Sequence, residues 1–292
     1  MKALLASRPL LRWHGGKWLL AQWIIRHFGA HRCYVEAFGG AASVLLQKPR
    51  SYAEVYNDLD ETLIQLFRVL RDAEAASELV RLLELTPFAR SEFESAYQPS
   101  DDPIESARRT IVRSFMGFGS DSTAGHYRTG FRCNVTRQGT TPARDWAGYP
   151  DQLRLLLERL QGVTIENRPA LEVLQRFDGE ETLHYVDPPY LPETRSQGNR
   201  RRCGPGTAAW AVYRHELTHA DHVELLAKLR ELRGMVILSG YPSPLYDRTL
   251  KDWLRVERKA YADGAAVRRE VLWLNGAAVA AMPAPHLFGE VA

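Results

Sequence analysis

Asp187-Pro188-Pro189-Tyr190 puts an acid, a rigid turn and an aromatic ring in succession. The apolar run Thr182–Val186 before it has strand composition, and two prolines lack the donor that a central strand needs. The tetrapeptide therefore belongs at the carboxyl end of a strand, where ligands bind in open α/β sheets. Its plainer use is a strand-ending turn with an Asp cap and a packed Tyr. Arg12-Trp13-His14-Gly15-Gly16-Lys17 precedes an apolar helical pattern from Trp18 to Ile25. Backbone amides and a lysine at such an entry turn suit a carboxylate or phosphate. A Walker loop is excluded, because its glycine spacing and the Ser/Thr after Lys are missing. His215-Glu216-Leu217-Thr218-His219 matches the zinc-peptidase pattern H-E-x-x-H. However, Thr218 and Asp221 form a capping box that starts the helix near His219, so the two imidazoles do not share one helical face.

The elements that must carry these residues alternate. Tyr34–Ala37 reads as a strand, followed by the small-residue turn Phe38-Gly39-Gly40-Ala41-Ala42 and a helix through Leu46. A second strand, from Ala53, ends in the acids Asp58 and Asp60. Strand, glycine turn, helix, strand and acid together describe a pocket for a nucleoside-containing cofactor, the acid holding the ribose diol. Asp60 has a separate use as N-cap of a helix from Glu61 to Arg71. Residues 61–113 read as helices punctuated by Pro87, Pro99 and Pro103, an insertion between strands. The pattern then resumes: a helix at 152–160, a strand at 163–167, a helix at 170–176, and buried strands at 182–186 and 235–241. A last strand is expected at 268–275 and an irregular tail from Gly276.

The insertion closes in an acid-free stretch rich in Gly, Ser, Thr and Asn, in which Arg128, Arg132, Arg137 and Arg144 interleave with Tyr127, Phe131 and Trp146. Its alternation around Gly130 and Gly139 predicts a hairpin or extended loops. Arginines can hold phosphates or pair with guanine, while Asn134 and Gln138 suit adenine edges. A solvated polar loop is the alternative. A second cluster, Arg200-Arg201-Arg202, lies in the Gly/Arg-rich loop 195–205, another place for phosphates to dock.

Composition narrows the class. The chain has 292 residues, 45% hydrophobic and 25% charged, as one large domain or a domain with an insertion would. No apolar run is long enough to span a bilayer, and Arg12, Trp13 and His14 interrupt the N-terminus too early for a signal peptide. Cys33, Cys133 and Cys203 are odd in number and far apart, which fits a reducing cytoplasm rather than disulfides or Cys-ligated zinc. The net charge of +3 alone does not imply a polyanionic partner.

Taken together, these stretches resemble the Dam-type DNA adenine-N6 methyltransferases from Arg12 to Asn275. The resemblance implies a Rossmann-like α/β sheet with helices on both faces. Residues 1–60 and 150–292 would form the S-adenosylmethionine-binding catalytic domain. Residues 61–149 would form an inserted, mainly helical target-recognition domain for double-stranded DNA. It implies cofactor contacts from Trp13, Lys17, Glu36, Phe38, Gly39, Asp58 and Asp187. It assigns catalysis to Asp187, Pro188 and Tyr190, with Arg128, Arg132, Asn134 and Arg137 on DNA and no metal. The turn has Gly40-Ala41-Ala42 where the family often has further glycine, and the recognition segment departs from GATC-specific sequences. Asp187 and the Pro188 carbonyl would accept both N–H groups of an exocyclic amine while Tyr190 stacks on the flipped base. The same logic serves cytosine N4. A catalytically silent DNA-binding module and the zinc peptidase are the other classes the residues admit.

Overall fold

The computed structural model describes residues 7–119, 128–134, 139–194, 215–261 and 267–283. The strands are β1 (Cys33–Glu36), β2 (Ala53–Asn57), β3 (Thr164–Glu166), β4 (Thr182–Val186), β5 (Met235–Gly240), β6 (Leu254–Tyr261) and β7 (Val267–Leu274). They form one 7-stranded sheet in the order β3-β2-β1-β4-β5-β7-β6. β1 to β5 run parallel, and β7 is antiparallel to both β5 and β6. β4 and β5 are buried along their whole length, which is why their sequences are near-continuous apolar runs rather than alternating ones.

Strand periodicity divides the core between two faces. Leu183, Tyr185, Met235 and Ile237 point into one cluster. Val186, Val236 and Leu238 point into the other, against Leu225, Leu226 and Leu229 of α9 (His219–Glu231) and Tyr246 of α10 (Pro244–Thr249). The first face also carries α1 (Ala21–Ile25). Helices α2 (Glu61–Arg71), α3 (Ala73–Leu85), α4 (Arg90–Ser95), α5 (Pro103–Met116), α6 (Pro142–Ala147) and α7 (Tyr149–Leu160) lie between β2 and β3 in the chain. Their apolar faces merge with the same cluster as the sheet. Asp60, Asp72 and Asp102 cap α2, α3 and α5 through their side chains. Tyr149 Oη donates to the Leu10 carbonyl at 2.6 Å, and Trp146 Nε1 donates to the Thr86 carbonyl at 2.7 Å. These bonds tie α6 and α7 to neighbouring segments.

The structure differs from the sequence expectations in four places. Residues 41–47 make successive turns, not a regular helix. Ala42 adopts φ 54°, in the left-handed region that interrupts a right-handed helix, and the Leu45 amide donates to Glu36 rather than to a preceding carbonyl. The helix after Lys17 begins only at Ala21, following a turn closed by Leu20 N to Lys17 O at 2.9 Å. An unforeseen strand, β6, makes a hairpin with β7 and gives the sheet an antiparallel edge. The tail after the last strand is helical: Asn275 caps α11 (Gly276–Ala281) by accepting from the Ala278 amide. The capping box at Thr218 and Asp221 does start α9 at His219, as expected. α8 (Ala170–Arg176) completes the α-helices among the described residues, and a short 3-10 turn spans Pro192–Thr194.

Candidate active site

One cleft at the carboxyl ends of β1, β2 and β4 is lined by Trp13, Lys17, Glu36, Phe38, Gly39, Asp58, Asp187, Pro188 and Tyr190, among others. The sequence segments that could do chemistry thus meet in one place, as the strand order requires.

Asp187 leaves β4 one residue past its end, and both its carboxylate oxygens are engaged. Oδ2 lies 2.8 Å from Lys17 Nζ. Oδ1 accepts from Ser239 Oγ at 2.7 Å. Ser239 has a single proton and spends it on this short bond, so Tyr185 Oη, 3.1 Å away, donates to Ser239 in turn. A chain of hydroxyls thus runs from the buried Tyr185 to the carboxylate, each bond polarising the next. Lys17 also donates to the Gly15 carbonyl at 2.7 Å and stands 3.7 Å from Glu270 Oε1. Its ammonium lies 4.8 Å from the Tyr190 ring centroid. Glu270, reaching in from the antiparallel β7, accepts the Tyr190 hydroxyl. Tyr241 meets the Tyr190 ring edge-on at 4.5 Å between centroids. The aromatic ring beside Asp187 is therefore fixed both at its hydroxyl and along one side.

Across the cleft, Glu36 ends β1. Tyr34 Oη and the Leu45 amide both donate to its Oε2, at 2.7 and 3.0 Å, while Oε1 receives no donor among the described residues. Burial pushes the Glu36 carboxyl up to about 8, and it raises Asp58 and Glu270 as well. Asp58 accepts the Gly40 amide at 2.7 Å and the Asp60 amide at 2.8 Å, which clamps the glycine turn against the end of β2. A Cβ on Gly39 would come within 2.1 Å of the Tyr56 ring, and one on Gly40, at φ 49°, within 2.9 Å of Trp13. These glycines let the turn lie flat between two aromatic rings.

Sequence reading missed Ser239, Glu270 and Tyr241, and weighed His215 only for zinc, whereas it lines the cleft from the segment before α9. The strand ending at residue 240 was visible, yet a lone Ser in it carries no signal. Glu270 sits in an Arg-Arg-Glu run that reads as solvated.

The residues expected to touch DNA are less uniform. Arg128 is exposed and lies 5.3 Å from the Tyr97 ring. Arg132 is half-buried; its guanidinium is 3.7 Å from Asp145 and its amide donates to the Met116 carbonyl. Asn134 is exposed. Arg137, Tyr127, Gln138 and the loop 195–205 lie outside the described residues. Gly117 and Phe131 form an antiparallel bridge; the hairpin or extended loops expected around Gly130 and Gly139 fall partly outside the described residues. As for zinc, His219 is exposed as the first residue of α9, whereas His222 is buried and meets Tyr246 Oη at 2.8 Å. Among the described residues no three His, Cys, Asp or Glu side chains could hold a metal ion together, and no helix is long and apolar enough to cross a membrane.

Comparison with known proteins adds a family. The model of the D12 class N6 adenine-specific DNA methyltransferases matches residues 13–200. The DNA adenine methylase of Escherichia coli K12 is 26% identical over 195 residues, 64% of this chain and 66% of that protein, so the match spans just under two thirds of the relative. The DNA adenine methylase of Salmonella typhi is 23% identical over 269 residues, 86% of either chain. That of Serratia marcescens is 37% identical over a shorter 65-residue stretch, 22% of this chain and 24% of that protein.

Proposed function

Because the chain belongs to the D12 class of N6 adenine-specific DNA methyltransferases, we propose that it methylates N6 of an adenine flipped from double-stranded DNA, with S-adenosylmethionine as donor, at the cleft between Asp187 and Glu36. The observation that carries this reading is the engagement of Asp187: two fixed partners, Lys17 and Ser239, hold its carboxylate in one orientation at the strand end.

The cleft fits that donor by its chemistry. Its carboxylates outnumber its one lysine, which suits a ligand bearing ammonium and sulfonium charge. Glu36 Oε1 has no protein donor among the described residues and is open to a ligand donor. Asp58, held by two amides, keeps lone pairs for a ribose diol. Trp13, Phe38 and Lys17 complete the wall. When bound, the donor supplies an electrophilic methyl group.

The remaining work falls to the protein. An exocyclic amine is a poor nucleophile because its lone pair is delocalised into the ring. Asp187 and the Pro188 carbonyl accept its two N–H groups and localise that pair, and the negative carboxylate stabilises the positive charge that develops on nitrogen. Tyr190 stacks on the extruded base, which costs a few kcal/mol to unstack. Arg128, Arg132, Asn134 and Arg137 contact the duplex from the insertion, residues 61–149, while residues 1–60 and 150–292 hold donor and base. The enzyme works where the DNA is, in the cytoplasm.

Purified protein incubated with labelled S-adenosylmethionine and varied duplexes tests the proposal. Label should enter DNA with the wild type, and Asp187→Ala should remove incorporation while leaving the fold intact. Donor binding without transfer to any duplex would contradict the assignment.

A further inference from the structure

The antiparallel edge of the sheet extends past the parallel part. β5 ends at Gly240, paired with Val271, yet β6 and β7 continue through four further pairs, from Arg258↔Glu270 to Tyr261↔Val267. At about 3.3 Å per residue the ribbon overhangs the carboxyl edge of the sheet by roughly 13 Å. This is the edge from which Asp187 projects. In the overhang Arg258, Lys259, Arg268 and Arg269 accompany one acid, Glu270, whose carboxyl is turned into the cleft.

Strand alternation sorts the cations. Arg268 lies two residues from Glu270, and Arg258 is paired directly with it, so these two arginines share the face that delivers Glu270 to the active site. Their ring contacts agree with this. Arg268 lies 6.0 Å from the ring of Tyr241, which packs on Tyr190, and Arg258 lies 5.9 Å from the ring of Trp23 in α1. Neither has an acidic partner among the described residues. Lys259 and Arg269 face the other way, directly opposite each other, and Arg269 lies 3.8 Å from Glu257.

We infer that the β6–β7 ribbon is a second DNA-contacting element, on which Arg258 and Arg268 hold backbone phosphates beside the extruded base. It rests on the methyltransferase reading and adds a grip at the opposite edge of the sheet from β2, where the insertion enters. Both guanidiniums are planar donors, already oriented by a ring, with hydrogen-bonding groups left for phosphate oxygens. Lys259 and Arg269, on the far face, serve instead to guard an exposed edge strand from pairing with another chain.

The test compares two full-length double variants, Arg258→Gln with Arg268→Gln and Lys259→Gln with Arg269→Gln. Each is titrated with one duplex, of a sequence that the wild type methylates, across a salt series. Loss of two phosphate contacts should make the slope of log affinity against log salt shallower by roughly two for the first variant, with donor binding intact. The second should stay within about half a unit of wild type. No change in the first variant, or equal change in both, would overturn the assignment. If the wild type itself bound no duplex at any salt, the methyltransferase reading would fail and this inference with it.

Discussion

Asp187 is held at both oxygens, and its neighbours set what each substitution does. Asp187→Asn keeps the shape but replaces a charged acceptor with an amide and strips Lys17 of its nearest counter-ion. Methyl incorporation should fall at least about 100-fold in kcat, the loss typical of one preorganised electrostatic group. Tyr190→Phe should separate two roles. The ring remains for stacking, but the buried Glu270 carboxyl loses the phenol proton it accepts. We expect a stability loss of about 1–3 kcal/mol, with activity falling less than in Tyr190→Ala; thermal melts and initial rates measure both. Glu36 has a pH signature. Its carboxyl is raised from 4.5 to about 8 by burial, so the folded chain holds a proton there that the unfolded chain has lost. That contribution is fully present below about pH 4.5 and is lost as pH rises through 8. Glu36→Gln should therefore flatten the fall of the donor-free protein's Tm between about pH 5 and 8. An unchanged slope would mean that Glu36 is ionised in the fold. Asp187 and Tyr190 were legible because their order is chemically unusual. Ser239 and Glu270 were not, because each reaches the site only through tertiary pairing.

The glycine turn shows how an element positions these groups. Gly39 lies against Tyr56, whose hydroxyl donates to the Gly40 carbonyl at 2.6 Å, while Asp58 takes the Gly40 amide. Gly39→Ala forces a methyl into that ring and should both lower the Tm and weaken donor binding, by calorimetry, more than Gly276→Ala, where a Cβ meets nothing within 4 Å. Equal effects would remove the turn from the donor site. Strand and glycine were readable here, but the following helix was not. Small apolar residues have helical propensity, and nothing local announces that Ala42 turns left-handed or that Leu45 bonds to Glu36. β6 was hidden for a different reason: Leu254-Arg255-Val256-Glu257-Arg258-Lys259 is an edge strand with both faces largely solvated, so it lacks the apolar stripe that marks the inner strands.

For the molecule as a whole, parallel strands flanked by helices followed from the alternation of buried runs. That alternation places the ends of β1, β2 and β4 side by side and so brings Glu36, Asp58 and Asp187 to one cleft. What alternation does not encode is the antiparallel β6–β7 edge, which brings Glu270 to the cleft and sets Arg258 and Arg268 on the same face. The central claim is that Asp187 directs methyl transfer to an adenine amine. Nucleoside mass analysis of duplex DNA after incubation with the protein and labelled S-adenosylmethionine tests it most directly. The account predicts label in N6-methyladenine with the wild type and none with Asp187→Ala. Label in N4-methylcytosine, or label in N6-methyladenine that survives Asp187→Ala, would contradict it.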